Sequence, residues 1–419
     1  MKRITLYIFI SVSLLSYSQE EMVLPKIKQN TIGFCSYISI QSDDLNTNFL
    51  NTMLYGGFIT NSMKDNWINS GDEDNRLNAE IINGFNYNFR NQNNSILYLQ
   101  ITDVNNLNSS FKDDLLKLTF HGNFDYQGDT LDFSETIIRI DRYQQYKLGY
   151  NFHLFTNNIK WNINTAISYL NGNRHAQLNI DNGSLYTGEE GTSLDINYDI
   201  NTMMTDTSNL SPFAGNGKGI AMDFSLELLD VENNTFGIQI RDLGFIKWNT
   251  NSIINNTDSN FIFSGLEIDE FNNLPEFNDS ILDISFIEKN STFRSFIPAK
   301  ITLSYNKLLN HNIFKSIWFA THSRWQPYYV KGGIDIDLFN RGLEESGYKS
   351  SLNVITNIDA RLFYTAIGFI RGGFTDKTDL YFSISDKKGN FKLGTYHLNE
   401  FFNNEKSSAS IYFTLTTRF

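Results

Sequence analysis

Cysteine occurs once in the 419 residues, at Cys35, which excludes an intrachain disulfide and any metal site built on several thiolates. The histidines number only 6 and are scattered, with no HExxH and no close pair, so the pattern of a zinc centre is missing. Positive charge is also short: 34 Lys and Arg stand against 46 Asp and Glu, a net −12. Phosphate recognition wants clustered Lys and Arg, so this balance argues against a nucleic-acid partner, and the acidic residues read as solvated loops. No stretch beyond the amino terminus approaches the roughly 20 continuous apolar residues of a membrane-spanning helix. Proline is scarce, at 5 residues, and neither a fixed long repeat nor an internal linker divides the chain.

What the sequence does have begins with an export signal. Lys2 and Arg3 form a positive start, Leu6–Leu15 an apolar core too short to cross a bilayer, and Ser16-Tyr17-Ser18 a small-x-small cleavage pattern. Residues 1–18 are therefore expected to be removed, leaving 19–419 as one exported unit. Aromatics make up 15% of the chain, with 35 Phe and 21 Tyr, beside a slightly negative mean hydropathy. A membrane barrel reconciles the two, because alternate residues face lipid and aromatics gather at both interfaces.

The strand pattern supports that reading. In Ser407–Phe419, Ala409, Ile411, Phe413, Leu415, Thr417 and Phe419 fall on one side, while Ser410, Tyr412, Thr414, Thr416 and Arg418 fall on the other. A strand ending on an aromatic carboxyl-terminal residue resembles the closing strand of a bacterial outer-membrane barrel, with Phe419 as the signal to the barrel-assembly machinery. Ile159, Trp161, Ile163, Thr165, Ile167 and Tyr169 alternate with polar residues. They follow Asn157-Asn158 and a strand that places Tyr146, Leu148, Tyr150, Phe152 and Leu154 on one face, a clear hairpin. Ile220, Met222, Phe224, Leu226 and Leu228 repeat the theme. Short and long connections alternate along the chain. The expectation is an all-β, transmembrane antiparallel β-barrel of about fourteen strands, with twelve to sixteen tolerable. Ser109–Lys117 has helical spacing, and Trp325–Leu338 reads as a strand. Asn46–Ile68 breaks the alternation and is a candidate plug inside the lumen, although an ordinary long loop fits it as well.

Candidate site residues are few. Gly215-Asn216-Gly217-Lys218-Gly219 lacks the preceding strand and following helix of a phosphate loop, so its glycines read as a tight turn or close backbone packing. Asp223, Glu227 and Arg241 fall on the lumen face of adjacent strands, either as a polar selectivity lining or as a cross-strand ion-pair network. His153 falls on the same face, as a lumenal hydrogen-bonding histidine or as half of a Ser-His pair for which no serine can be matched. Trp161, Trp248, Trp318 and Trp325 suit interfacial girdles or ligand stacking. The clusters at Asp72-Glu73-Asp74, Asp113-Asp114 and Glu189-Glu190 lack the spaced oxygens of a calcium loop.

Through Ser110–Gly128, Tyr143–Tyr150, Gly217–Asp223 and Gly237–Trp248, most of the exported chain resembles a Bacteroidota family of outer-membrane barrels without an assigned function. The architecture is similar to long-chain fatty-acid transporters of the outer membrane and to accessory barrels of secretion and gliding assemblies. That resemblance implies outer-membrane lipid as surroundings, no cofactor and no catalysis. It also implies one of two roles, namely passive uptake or binding of an apolar or amphipathic small molecule, or docking of secretion or motility proteins.

Overall fold

In the computed structural model, fourteen strands close into a single antiparallel ring. The described residues are 30–419 apart from 43, 46–47, 50–51, 53–55, 71–73, 92–94, 157–158, 207, 210, 231, 233, 264–288, 328–335 and 403–407. The export signal expected in residues 1–18 therefore lies outside them. In chain order the ring consists of β1 (Thr31–Ser42), β2 (Asp74–Arg90), β3 (Ile96–Lys112), β4 (Thr136–Thr156), β5 (Ile159–Thr187), β6 (Gly217–Leu229) and β7 (Asn234–Trp248). It continues with β8 (Ala299–Leu308), β9 (Phe314–Trp325), β10 (Lys349–Ala360), β11 (Phe363–Gly373), β12 (Thr378–Asp386), β13 (Phe391–Thr395) and β14 (Ala409–Arg418). Each strand pairs with its successor, and β14 returns to β1 in register from Thr31↔Arg418 to Ile40↔Ala409. Closure is what allows strands to lie in hydrocarbon, since every backbone N–H and C=O must find a partner there.

The two faces separate as the alternation predicts. On β14, Ile411 and Leu415 are exposed while Ser410 and Tyr412 are buried. On β5, Ile167 and Tyr169 face outward, with Ser168 and Leu170 buried between them. On β6, Ile220, Met222 and Phe224 are exposed against buried Ala221, Asp223 and Ser225. An outer surface this apolar over adjacent strands is a belt for lipid, not for water.

The ring has unlike ends. Tight connections join β2 to β3, β4 to β5, β6 to β7, β8 to β9, β10 to β11 and β12 to β13 at one end, where Phe419 N–H donates to the Asn30 carbonyl (3.1 Å) and its ring stacks on Tyr87. Long connections gather at the other end. There β5 runs on past the wall, and its outer part pairs with Leu194–Met204, which pairs in turn with Ile253–Phe263. Thr130–Asp132 pairs with the other edge of β5, so a small sheet projects beyond the rim.

Among the described residues, the helices at this long-loop end include α1 (Asn61–Ser70), α2 (Asp113–His121) and α3 (Ile336–Glu344). Helix α2 starts four residues later than the expected Ser109, which belongs to β3. Strand β9 stops at Trp325, so the expected strand through Leu338 is instead strand, then undescribed residues, then helix. The described part of the candidate plug, Asn46–Ile68, packs against α2. Phe49 and Trp67 join Leu45, Phe111 and Leu116 in one apolar cluster at the rim.

Candidate functional site within the barrel

Inward-facing positions carry polar and charged side chains that satisfy one another, as groups removed from water must. Lys147 on β4 lies 2.5 Å from Asp223 on β6 and 3.0 Å from Asp242 on β7. Gln145 donates to Asp242 (2.7 Å), and the Asp242 backbone N–H donates to Asp223 (2.8 Å). A β-bulge produces this cluster. Between Met222↔Leu243 and Phe224↔Ile240, both Arg241 and Asp242 oppose Asp223, with Asp242 in the left-handed region at φ 57. The extra residue aims two consecutive side chains into the bore.

The second feature spans the bore. Glu80 on β2 accepts from Arg324 on β9 (2.9 Å) and from Lys300 on β8 (3.4 Å). In a ring of fourteen, β2 and β9 lie diametrically opposite. A circular barrel of that size would be roughly 25 Å across, given the strand spacing and tilt, further than an arginine and a glutamate can bridge. The walls are therefore pinched together at Glu80. Arg324 is also sandwiched by aromatic rings, 4.9 Å from the centroid of Phe374 and 5.6 Å from that of Tyr348.

Nearer the long-loop end, His175 Nδ1 meets Asp141 (2.7 Å), whose other oxygen accepts from Gln326 (3.3 Å). Arg139 donates to the Gln326 carbonyl, joining β4 to the segment after β9. The His175 ring stacks on Trp248, with centroids 5.6 Å apart. Trp248 in turn rests on glycine: a Cβ at Gly172 or Gly217 would meet its ring at 2.5 or 2.6 Å. Gly217 and Gly219 of the Gly215–Gly219 stretch thus serve close packing at the start of a strand. On the other wall Tyr37, Tyr381, Tyr396 and Tyr412 form an aromatic cluster, with the Tyr381 and Tyr412 hydroxyls bonded to each other.

Of the residues singled out from sequence, Asp223, Glu227 and Arg241 all line the interior, but they do not pair with one another. Asp223 pairs with Lys147, Glu227 accepts from Asn162 (2.8 Å), and Arg241 is buried beside Lys300. His153 is half-buried opposite Asn162. Among the described residues the hydroxyl that meets an imidazole is that of Thr302, 2.9 Å from His322, not a serine. Of the tryptophans, Trp161 lies on the outward side, Trp248 is in the core, and Trp325 is covered near Gly342 of α3. Lys147 and Glu80 were readable as inward positions, since each keeps step with its strand. Asp242 was not, because the bulge breaks the count.

A closed ring with a lipid belt and a polar interior defines a transmembrane β-barrel. Within that class, the chain belongs to a family of unknown function, DUF5723, which matches residues 28–361. No curated protein matches the chain. Among solved structures it is similar to the toluene transporter TbuX of Ralstonia pickettii, with 8% identity, 93% of this chain and 90% of that one covered, and a TM-score of 0.42. It is also similar to the P. putida toluene transporter TodX, with 8% identity, coverages of 94% and 90%, and a TM-score of 0.42. A third is the translocator domain of autotransporter NalP from Neisseria meningitidis, with 8% identity, coverages of 94% and 89%, and a TM-score of 0.34.

Proposed function

We propose that this protein is an outer-membrane barrel with no enzymatic activity whose bore is closed by its own side chains and whose working surface is the long-loop end, where it docks partner proteins. The observation that carries this reading is the Glu80 bridge between opposite walls. Beside it, lined by its partners Lys300 and Arg324, lies a cavity of ≈ 20 Å³, room for about one water. In barrels of this kind short turns face the periplasm and long loops face outward, so the projecting sheet and the α1–α2 cluster stand at the cell surface. Exposed Phe124 and Phe213 on that side offer apolar contact.

Two measurements test the reading. Wild-type protein in planar bilayers is expected to show no steady open level, and a photo-crosslinker at position 124 or 213 in cells is expected to give a discrete protein adduct. Stable ohmic conductance by the wild type, or the absence of an adduct at both positions, overturns it.

Uptake of an apolar or amphipathic small molecule is the second reading, and one observation favours it: fourteen strands enclose enough width for a channel if the bridge at Glu80 parts. In that case release of the bridge by Glu80→Gln opens a conductance that the wild type lacks.

A further inference from the structure

Three cations occupy one row of the barrel wall. Arg241 on β7, Lys300 on β8 and Arg324 on β9 are direct cross-strand partners, and all three line the same small cavity. Like charges facing each other across a sheet repel, and the repulsion is stronger away from water. Glu80 compensates two members of the row, by its contacts to Arg324 and Lys300. It makes no contact with the third, which the charge of Glu227 reaches only through space.

Arg241 is that third member. It is 6% exposed, its Nε is buried with no hydrogen-bond partner, and it forms no ion pair among the described residues. The neighbouring carboxylates hold other donors and do not contact it: Asn162 donates to Glu227, and Lys147 and Gln145 donate to Asp242. A guanidinium has donors only, so a cavity beside it must supply an acceptor or leave it unsatisfied. The cavity in front of the row measures ≈ 20 Å³ and is also lined by Thr302, His322 and Gln239, whose hydroxyl, imidazole and amide groups add polar contacts. That volume admits about one water-sized occupant and no polyatomic anion.

We propose that this cavity is an anion site that holds a single halide ion against Arg241. A bound halide supplies the acceptor that the buried Nε lacks, in a cavity that three cations line. The site stands whether or not the barrel conducts, because it rests on the wall formed by β7, β8 and β9.

The test uses full-length exported protein purified in detergent, with unfolding followed as sodium gluconate is replaced by sodium chloride or bromide at fixed ionic strength. The wild-type midpoint is expected to rise and saturate with halide. Arg241→Gln is expected to lose that dependence whatever its own midpoint, and Arg241→Lys to keep part of it. Crystals of the wild type soaked in bromide provide a readout that needs no variant, an anomalous peak in contact with the Arg241 guanidinium. Three results overturn the proposal: equal midpoints in gluconate and halide, an undiminished halide response in Arg241→Gln, or a response to phosphate in place of halide.

Discussion

Replacing Glu80 by glutamine keeps the shape of the side chain and removes the one carboxylate that joins opposite walls. It leaves Arg324 and Lys300 facing each other across one strand pair with no counter-charge in contact. Breaking a buried ion pair by removing one partner costs about 3–5 kcal/mol. The side chains of Glu80 and Arg324 are 3% and 8% exposed, which places their 2.9 Å contact inside that regime. Lys300 is 19% exposed at 3.4 Å, so its share is smaller. The expected loss is therefore about 3 kcal/mol, near the low end, or roughly a hundredfold in the ratio of folded to unfolded protein. Denaturant titration in micelles, followed by tryptophan emission, reads this directly. The double variant Glu80→Gln with Arg324→Gln is expected to recover at least half of the loss, because it removes the stranded guanidinium along with its partner. A Glu80→Gln protein within about 0.5 kcal/mol of the wild type, the scatter of ordinary surface changes, refutes the claim that Glu80 is locked between two walls.

Other consequences follow from the same geometry. Ile167→Arg, on the outward face of β5, is expected to cost about 2–4 kcal/mol in lipid vesicles, whereas a water-facing position would tolerate it, and refolding yield into vesicles distinguishes the two. Gly217→Val drives a side chain into Trp248 and Ile246 and is expected to destabilise by about 1–3 kcal/mol, seen as earlier loss of the heat-sensitive fast band on gels. Asp376 lies at the long-loop end. Burial pushes its carboxyl up, but the Lys349 hydrogen bond and Arg76 outweigh that and hold it below the usual range. Because the folded value is depressed, its contribution is present above about pH 4 and fades as the pH falls further. Asp376→Asn should flatten that part of an acid-stability curve. The effect should be small and salt-sensitive, since the side chain is 48% exposed.

The outside of this molecule was more legible from sequence than the inside. Hydrocarbon imposes one requirement on every second residue, so Ile220, Met222 and Phe224 on β6 or Tyr146, Leu148 and Tyr150 on β4 announce themselves by period alone. The count fails where a bulge inserts a residue. On β5 the inward set is Asn164, Ser168 and Leu170 below Gly172 but Asn173, His175, Gln177 and Asn179 above it, and the register slips at that point. A strand that changes parity looks like a polar loop, which is why the upper half of the 29-residue β5 is hard to recognise by alternation. Strand β7 makes the same change at Asp242, so Arg241 points inward below the bulge and Ile246 and Trp248 point inward above it.

The pairing across the bore depends on a quantity that no local pattern contains, the number of strands. Fourteen strands place β2 opposite β9 and so bring Glu80 to Arg324. Twelve would place β2 opposite β8, and sixteen would place it opposite β10, whose inward side chains include Ser351, Asn353 and Ile355 and carry no charge for Glu80. Glu80 therefore faces a cation in a ring of fourteen, Arg324 on β9, or of twelve, Lys300 on β8, but an uncharged wall in a ring of sixteen. The lumen thus reports strand number through its electrostatics, while the lipid face reports only that there are strands. A consequence is that inserting one hairpin between β9 and β14, although harmless to the outer belt, should set Glu80 opposite the uncharged wall of β10 and weaken its contact with Arg324.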